Sequence, residues 1–163
     1  MSDKRFTILS IEDNEPDFYL LKRALEKIPN LRLEIININN GKGALDFIYK
    51  KNEHQSAPTP DIIILDINLP YINGKEILKT IKNDEKYKMI PVIIFSTSDC
   101  SIDIENLYKS YANSYLTKTS DVDELFKKIA VMGEYWLKIS EIPGTNNFCF
   151  VQNDKKEIEK WKF

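Results

Sequence analysis

The sequence predicts an α/β fold, a doubly wound five-stranded parallel sheet with helices on both faces. Three observations carry this expectation. Short apolar runs alternate with longer amphipathic stretches from the start of the chain almost to residue 140, the pattern of repeated βα units. Three of those runs are nearly continuously apolar, as strands of a parallel sheet covered on both sides must be. The length of 163 residues suits one domain with a sizeable core and one extension.

The first strand is FTILSI, Phe6 to Ile11. Pro16 can open the helix that follows, with Asn14 or Glu15 as its cap and Phe18, Leu21, Leu25 and Ile28 as one apolar stripe. Pro29-Asn30 ends it. LRLEIINI, Leu31 to Ile38, is the second strand, and a second helix runs from about Lys42 to Lys50 with Ala44, Leu45 and Ile48 inward. Residues 52 to 60 form a polar, Pro-containing connection to IIILD, Ile62 to Asp66. The third helix spans Gly74 to Asn83 on Ile77, Leu78 and Ile81. VIIFS, Val92 to Ser96, is the fourth strand, followed by a helix from about Ile102 to Tyr111. SYLT, Ser114 to Thr117, completes the sheet. Asp121 and Glu124 make a capping box for the last helix, where Val122, Leu125, Phe126, Ile129, Gly133, Trp136 and Leu137 follow a 3/4 spacing. The pattern breaks at Pro143-Gly144. Beyond it lie a NNFCFVQ run, which reads as an edge strand, a packing segment or a frayed end, and a charged KKEIEKWKF tail.

Composition removes several classes of function. Charged residues are 29% and hydrophobic residues 42% of the chain, with a formal net charge of −2, so no global basic field attracts nucleic acid or an anionic membrane. No apolar stretch reaches the roughly 18–20 residues needed to span a bilayer. The N-terminus carries no signal-peptide core, and a cytoplasmic location is the expectation. Cys100, Cys149 and His54 stand apart from one another without metal-ligand spacing, which favours structural or incidental roles over zinc or redox chemistry.

Ligands of an open parallel sheet bind beyond the carboxyl ends of its strands. There the sequence places Glu12 and Asp13 after the first strand and Asp66 at the end of the third. Three carboxylates drawn together repel, and a divalent cation offsets that repulsion. Mg2+ fits best, as a hard ion that bridges carboxylates to phosphate oxygens. Ser96 and Thr97 end the fourth strand and Lys118 follows the fifth. A hydroxyl and an ammonium complement the metal around a phosphoryl group, with a carboxylate available as nucleophile. Each residue alone has an ordinary reading: a solvated loop, a turn former before Pro70, a helix cap, a surface charge. Their convergence from four segments favours function.

These residues carry a resemblance to the receiver domains of two-component response regulators, over about residues 4 to 139. The matching stretches are Ile11-Glu12-Asp13-Asn14, IIILDINLPYING with Asp66, Leu69-Pro70 and Gly74, PVIIFST (Pro91 to Thr97), and YLTK ending in Lys118. The resemblance implies a flavodoxin-like strand order of 2-1-3-4-5 and a receiver domain over residues 1–140. Residues 141–163 are then expected to be a C-terminal extension, with no separate output domain. It further implies that a sensor histidine kinase phosphorylates Asp66. Asp13 and Asp66 would ligate Mg2+ directly, Glu12 through water, and Asn68 through its backbone carbonyl. Ser96, Thr97 and Lys118 would meet the phosphoryl oxygens, and Tyr115 would turn inward when the hydroxyl residue moves. Two departures stand out. Glu12 replaces the family's commoner aspartate, and Thr119 replaces the usual proline, which leaves open whether the Lys118–Thr119 bond is cis or trans.

The run Glu12-Asp13-Asn14, the non-proline after Lys118 and the EYWL stretch (Glu134 to Leu137) are similar to single-domain regulators that work with cyanobacterial phytochrome kinases. That narrower likeness implies a phytochrome-type kinase as partner. Tyr108, Tyr111, Tyr115, Phe126 and Trp136 are expected near the last two helices, where an aromatic patch with the fifth strand would pair two copies; core packing is the favoured role for Trp136. Two other functions compete. One is an aspartyl-phosphate phosphatase, which usually carries an aspartate where Asn68 stands. The other is a receiver-like docking module that is not phosphorylated.

Overall fold

The computed structural model describes residues 5–143. The expectations for the NNFCFVQ run, Cys149 and the charged tail lie outside the described residues. Five parallel strands, β1 (Arg5–Ile11), β2 (Arg32–Ile38), β3 (Ile62–Leu65), β4 (Val92–Ser96) and β5 (Ser114–Thr117), form one sheet in the order β2-β1-β3-β4-β5. Helices α1 (Glu15–Glu26), α2 (Gly41–Ile48), α3 (Gly74–Asn83), α4 (Ser101–Lys109) and α5 (Val122–Glu134) alternate with them. No helix among the described residues is long and apolar enough to cross a membrane.

The two-residue period of a strand divides the core. Leu9, Ile11, Ile63, Leu65, Val92 and Ile94 pack with α2, α3 and Leu107 of α4. Ile8, Ile62, Ile64, Ile93 and Phe95 pack with α1 and α5 on the opposite side. Both faces are buried, which is why the central strands read as unbroken apolar runs. Asn14, Asn40, Asn73 and Asp121 cap α1, α2, α3 and α5 by accepting a first-turn N–H on their side-chain oxygen, each worth about 1 kcal/mol. The starts of these four helices therefore gather at the carboxyl edge of the sheet, each with one first-turn backbone donor already served.

Several expectations need correction. Helix α1 stops at Glu26, and Ile28 is buried just past it, since a residue before proline is steered away from helical geometry. Helix α2 begins earlier, on Asn40, and buries Phe47. Helix α4 ends at Lys109, and Tyr111 turns left-handed at φ 67°. Only half of the Asp121/Glu124 capping box forms: Asp121 accepts from the Glu124 N–H, while the Glu124 carboxylate pairs with Lys128. Val122 is exposed rather than part of the stripe. A π-helical turn, Tyr135–Ile139, extends α5 and buries Leu137. The aromatic patch is divided. Phe126 and Trp136 pack on the α1/α5 side, Tyr115 packs on the opposite side, and Tyr108 and Tyr111 are exposed. The Lys118–Thr119 bond is trans.

Candidate functional site

Backbone hydrogen bonds carry the sheet one residue past its strand ends and so place the site. The Glu12 N–H donates to the Ile38 carbonyl at 3.2 Å, the Asp66 N–H to the Ile11 carbonyl at 2.9 Å, and the Lys118 N–H to the Ser96 carbonyl at 2.8 Å. Each functional side chain thus leaves a pinned peptide rather than a free loop. Lys118 lies over the Phe95 ring, 4.9 Å from its centroid, and its side chain is only 5% exposed.

The ammonium of Lys118 joins the carboxylates. It donates to Glu12 Oε2 at 2.7 Å and Asp66 Oδ2 at 2.9 Å, and a third carboxylate, Asp17 Oδ2, stands at 2.9 Å. The remaining oxygens of the buried acids take backbone donors: Glu12 Oε1 accepts from the Asn14 N–H and Asp66 Oδ1 from the Asn68 N–H, both at 3.0 Å. Glu12, Asp13 and Asp66 each offer an oxygen within 4.8 Å of the others. Asp13 is exposed at the mouth of the crevice, whereas Glu12 and Asp66 are buried.

Burial alone would push the Lys118 ammonium down. Hydrogen bonds to Glu12, Asp66 and Asp17 outweigh it and hold Lys118 above the usual lysine range. Burial pushes the Glu12 carboxyl up to about 7 against the hydrogen bond and charge of Lys118, and the Asp66 charge adds to the rise. One ammonium therefore does not offset the burial of the Glu12 carboxylate, and a further positive charge fits the site. All the donors are oxygens, the chemistry of a hard divalent cation.

The other predicted residues lie nearby with different engagements. Ser96 is fully buried and its Oγ accepts a long contact, 3.4 Å, from the Ser98 N–H. Thr97 is exposed, and no side-chain hydrogen bond among the described residues links it to the acids. Tyr115 is half-buried, and its hydroxyl donates to the Ser98 carbonyl at 2.7 Å. Cys100 is a free, exposed thiol. His54 meets the Phe47 ring edge-on at 5.4 Å, which supports its structural reading. A cleft lined by Asn39, Asn40, Lys42, Pro70, Tyr71 and Ile72 lies to one side and takes in none of the acids.

Asp17 was not among the residues the sequence pointed to. The available signal was its place: four residues after Asp13, in the first turn of a helix opening at the carboxyl edge of the sheet. An acid there also reads as a helix-dipole residue, which hides it.

Comparison with known proteins agrees with this geometry. The family described as response regulator receiver domain matches residues 8–130. Response regulator Rcp1 of Synechocystis sp. is 34% identical over 137 residues, covering 84% of this chain and 92% of that protein. The probable methanogenesis regulatory protein FilR2 of Methanothrix harundinacea is 34% identical over 139 residues, covering 85% and 88%. Among solved structures, the phosphorylated cyanobacterial phytochrome response regulator RcpA superposes with a TM-score of 0.83 at 33% identity, covering 86% of this chain and all of that one. The Mn(2+)-bound form of Rcp1 gives 0.82 at 32% identity, covering 85% and 99%.

Proposed function

We propose, for a chain that belongs to the response regulator receiver family and works as a two-component response regulator, that Asp66 accepts a phosphoryl group from a sensor histidine kinase in the cytoplasm, with Mg2+ as cofactor. The observation that carries this reading is the Lys118 ammonium held between Glu12 and Asp66 at 2.7 and 2.9 Å. A carboxylate oxygen of Asp66 attacks phosphorus in line, the P–N bond to the donor imidazole breaks, and its electron pair leaves with the imidazole. The product is an acyl phosphate on Asp66. Lys118, already aimed at Asp66 Oδ2, passes that N–H to a phosphoryl oxygen, and Ser96 and Thr97 supply hydroxyl donors on the facing side. Asp13, Asp66, the Asn68 carbonyl and, through water, Glu12 would hold Mg2+, which neutralises charge on the transferring group.

The likeness to the cyanobacterial phytochrome response regulator RcpA supports a phytochrome-type kinase as the donor. We take residues 1–140 as the receiver unit. Its signal passes through protein contacts, including pairing of two copies on the face of α4, β5 and α5, where Tyr108, Val131 and Tyr135 are exposed. Treatment with a small-molecule phosphodonor and Mg2+ is expected to add one phosphoryl group by intact-mass spectrometry. Asp66→Ala is expected to add none, and equal labelling of that variant would overturn the assignment.

A further inference from the structure

The three N–H groups of the Lys118 ammonium face three carboxylates, Glu12 at 2.7 Å, Asp66 at 2.9 Å and Asp17 at 2.9 Å. Glu12 and Asp66 belong to the cluster whose oxygens lie within 4.8 Å of one another; Asp17 does not. The cluster has no idle oxygen on its two buried members. Glu12 Oε1 and Asp66 Oδ1 accept backbone N–H groups, and Glu12 Oε2 and Asp66 Oδ2 accept from Lys118. Ligation of a cation through either of the latter oxygens competes with the ammonium for it. Asp17, outside the cluster, is the one of the three partners that this competition does not touch.

Its backbone is suited to that task. Asp17 stands in the first turn of α1, and its N–H donates to the Asn14 side chain at 3.0 Å, so the cap that follows Glu12-Asp13 also fixes Asp17. Its side chain is 30% exposed against 2% for Glu12 and 7% for Asp66, so solvent reaches it while the ammonium stays sheltered.

We infer that Asp17 is a positioning residue for Lys118: it retains the ammonium when Glu12 and Asp66 turn to a divalent cation, and thereby sets cation affinity more than the rate of phosphoryl transfer once the cation is bound. The inference rests on the phosphoacceptor reading above. It concerns an aspartate outside the cation cluster and assigns it a task separate from ligation.

Calorimetric titration of the full chain with Mg2+ tests it, with no phosphodonor present. Asp17→Asn is expected to weaken Mg2+ binding about tenfold, the effect of losing a residue that orients a ligand set, while Asp17→Glu stays within about threefold of the parent. At saturating Mg2+, labelling of Asp17→Asn by a small phosphodonor is expected within about threefold of the parent rate. Mg2+ binding of Asp17→Asn as tight as the parent's, failure of Asp17→Glu to restore it, or labelling still depressed tenfold at saturating Mg2+ would each overturn the inference. Thermal melting without Mg2+ separates a folding defect, since both variants are expected to melt close to the parent. The two readings fail differently. Labelling of Asp66→Ala removes the phosphoacceptor reading, whereas an unaltered Mg2+ titration of Asp17→Asn in a parent that labels normally removes only the role of Asp17.

Discussion

Lys118 is the cation that lets two buried acids share one crevice, so its removal is felt beyond the chemistry. Leaving Glu12 and Asp66 buried without their ammonium is expected to cost about 3 kcal/mol in urea unfolding of Lys118→Ala without divalent cation, the scale for breaking a buried ion pair. Lys118→Arg is expected to recover little. A planar guanidinium cannot meet three carboxylates arranged around a compact ammonium. An unchanged midpoint for Lys118→Ala would mean that the cluster holds itself together without the lysine. Gly74 acts on the same site from behind. A Cβ there would collide with the Asp66 carbonyl oxygen and lie 2.7 Å from Ile67 Cα, backbone atoms with no side-chain freedom to yield. Gly74→Ala therefore has to shift the peptide of Asp66 itself. Since a misplacement near 1 Å costs about a hundredfold in a positioned reaction, labelling of this variant by a phosphodonor is expected to fall by at least about tenfold. Parent-like labelling would show that the loop absorbs the methyl group elsewhere.

Among the helices α1 to α5, α4 buries the fewest residues. Leu107 is its only fully buried residue, and its cap, Cys100, makes no side-chain cap bond. Polar ties take over: Tyr115 donates to the Ser98 carbonyl at 2.7 Å, Ser98 Oγ donates to Asp103 at 3.1 Å, and Lys75 of α3 donates to Asp103 at 2.9 Å. Hydrogen bonds from Lys75 and then Ser98 hold the Asp103 carboxyl below its usual range. A depressed aspartate contributes above its unfolded pKa and loses that contribution as pH falls through the folded value, so the tie is complete at neutral pH and opens only in acid. Tyr115→Phe and Asp103→Ala are accordingly expected to lower hydrogen-exchange protection of α4 amides while the global unfolding midpoint stays close to the parent's. Equal protection in both variants would assign the position of α4 to Leu107 alone. This division also explains what could be read in advance. β4, β5 and α3 have the bounds expected from the sequence because apolar period and Asn73 capping agree there. The course of α4, the split of the aromatic residues between two faces and the reach of Asp17 to Lys118 depend on contacts between segments far apart in the chain, which local periodicity does not encode. The sheet order, likewise, followed from the resemblance and not from strand spacing.

At the scale of the whole molecule, the site exists only because the sheet is assembled. Glu12, Asp66 and Lys118 come from three different segments, and their amides are pinned to Ile38, Ile11 and Ser96. The unfolded chain has no such cluster, so cation binding belongs to the folded state and must stabilise it. At a free Mg2+ concentration of a hundred times its dissociation constant, linkage gives about 2.7 kcal/mol. The melting temperature is thus expected to climb with Mg2+ concentration without an early plateau and to return on chelation. A monovalent salt at matched ionic strength separates this from screening, which acts on exposed pairs such as Lys88–Glu85 and Lys109–Glu105 rather than on the sheltered acids. Asp66→Ala removes one of three clustered carboxylates and is expected to abolish most of the Mg2+ shift. A Mg2+ shift matched by the monovalent salt, or kept in full by Asp66→Ala, would show that the cluster of Glu12, Asp13 and Asp66 is not where the cation stabilises this fold.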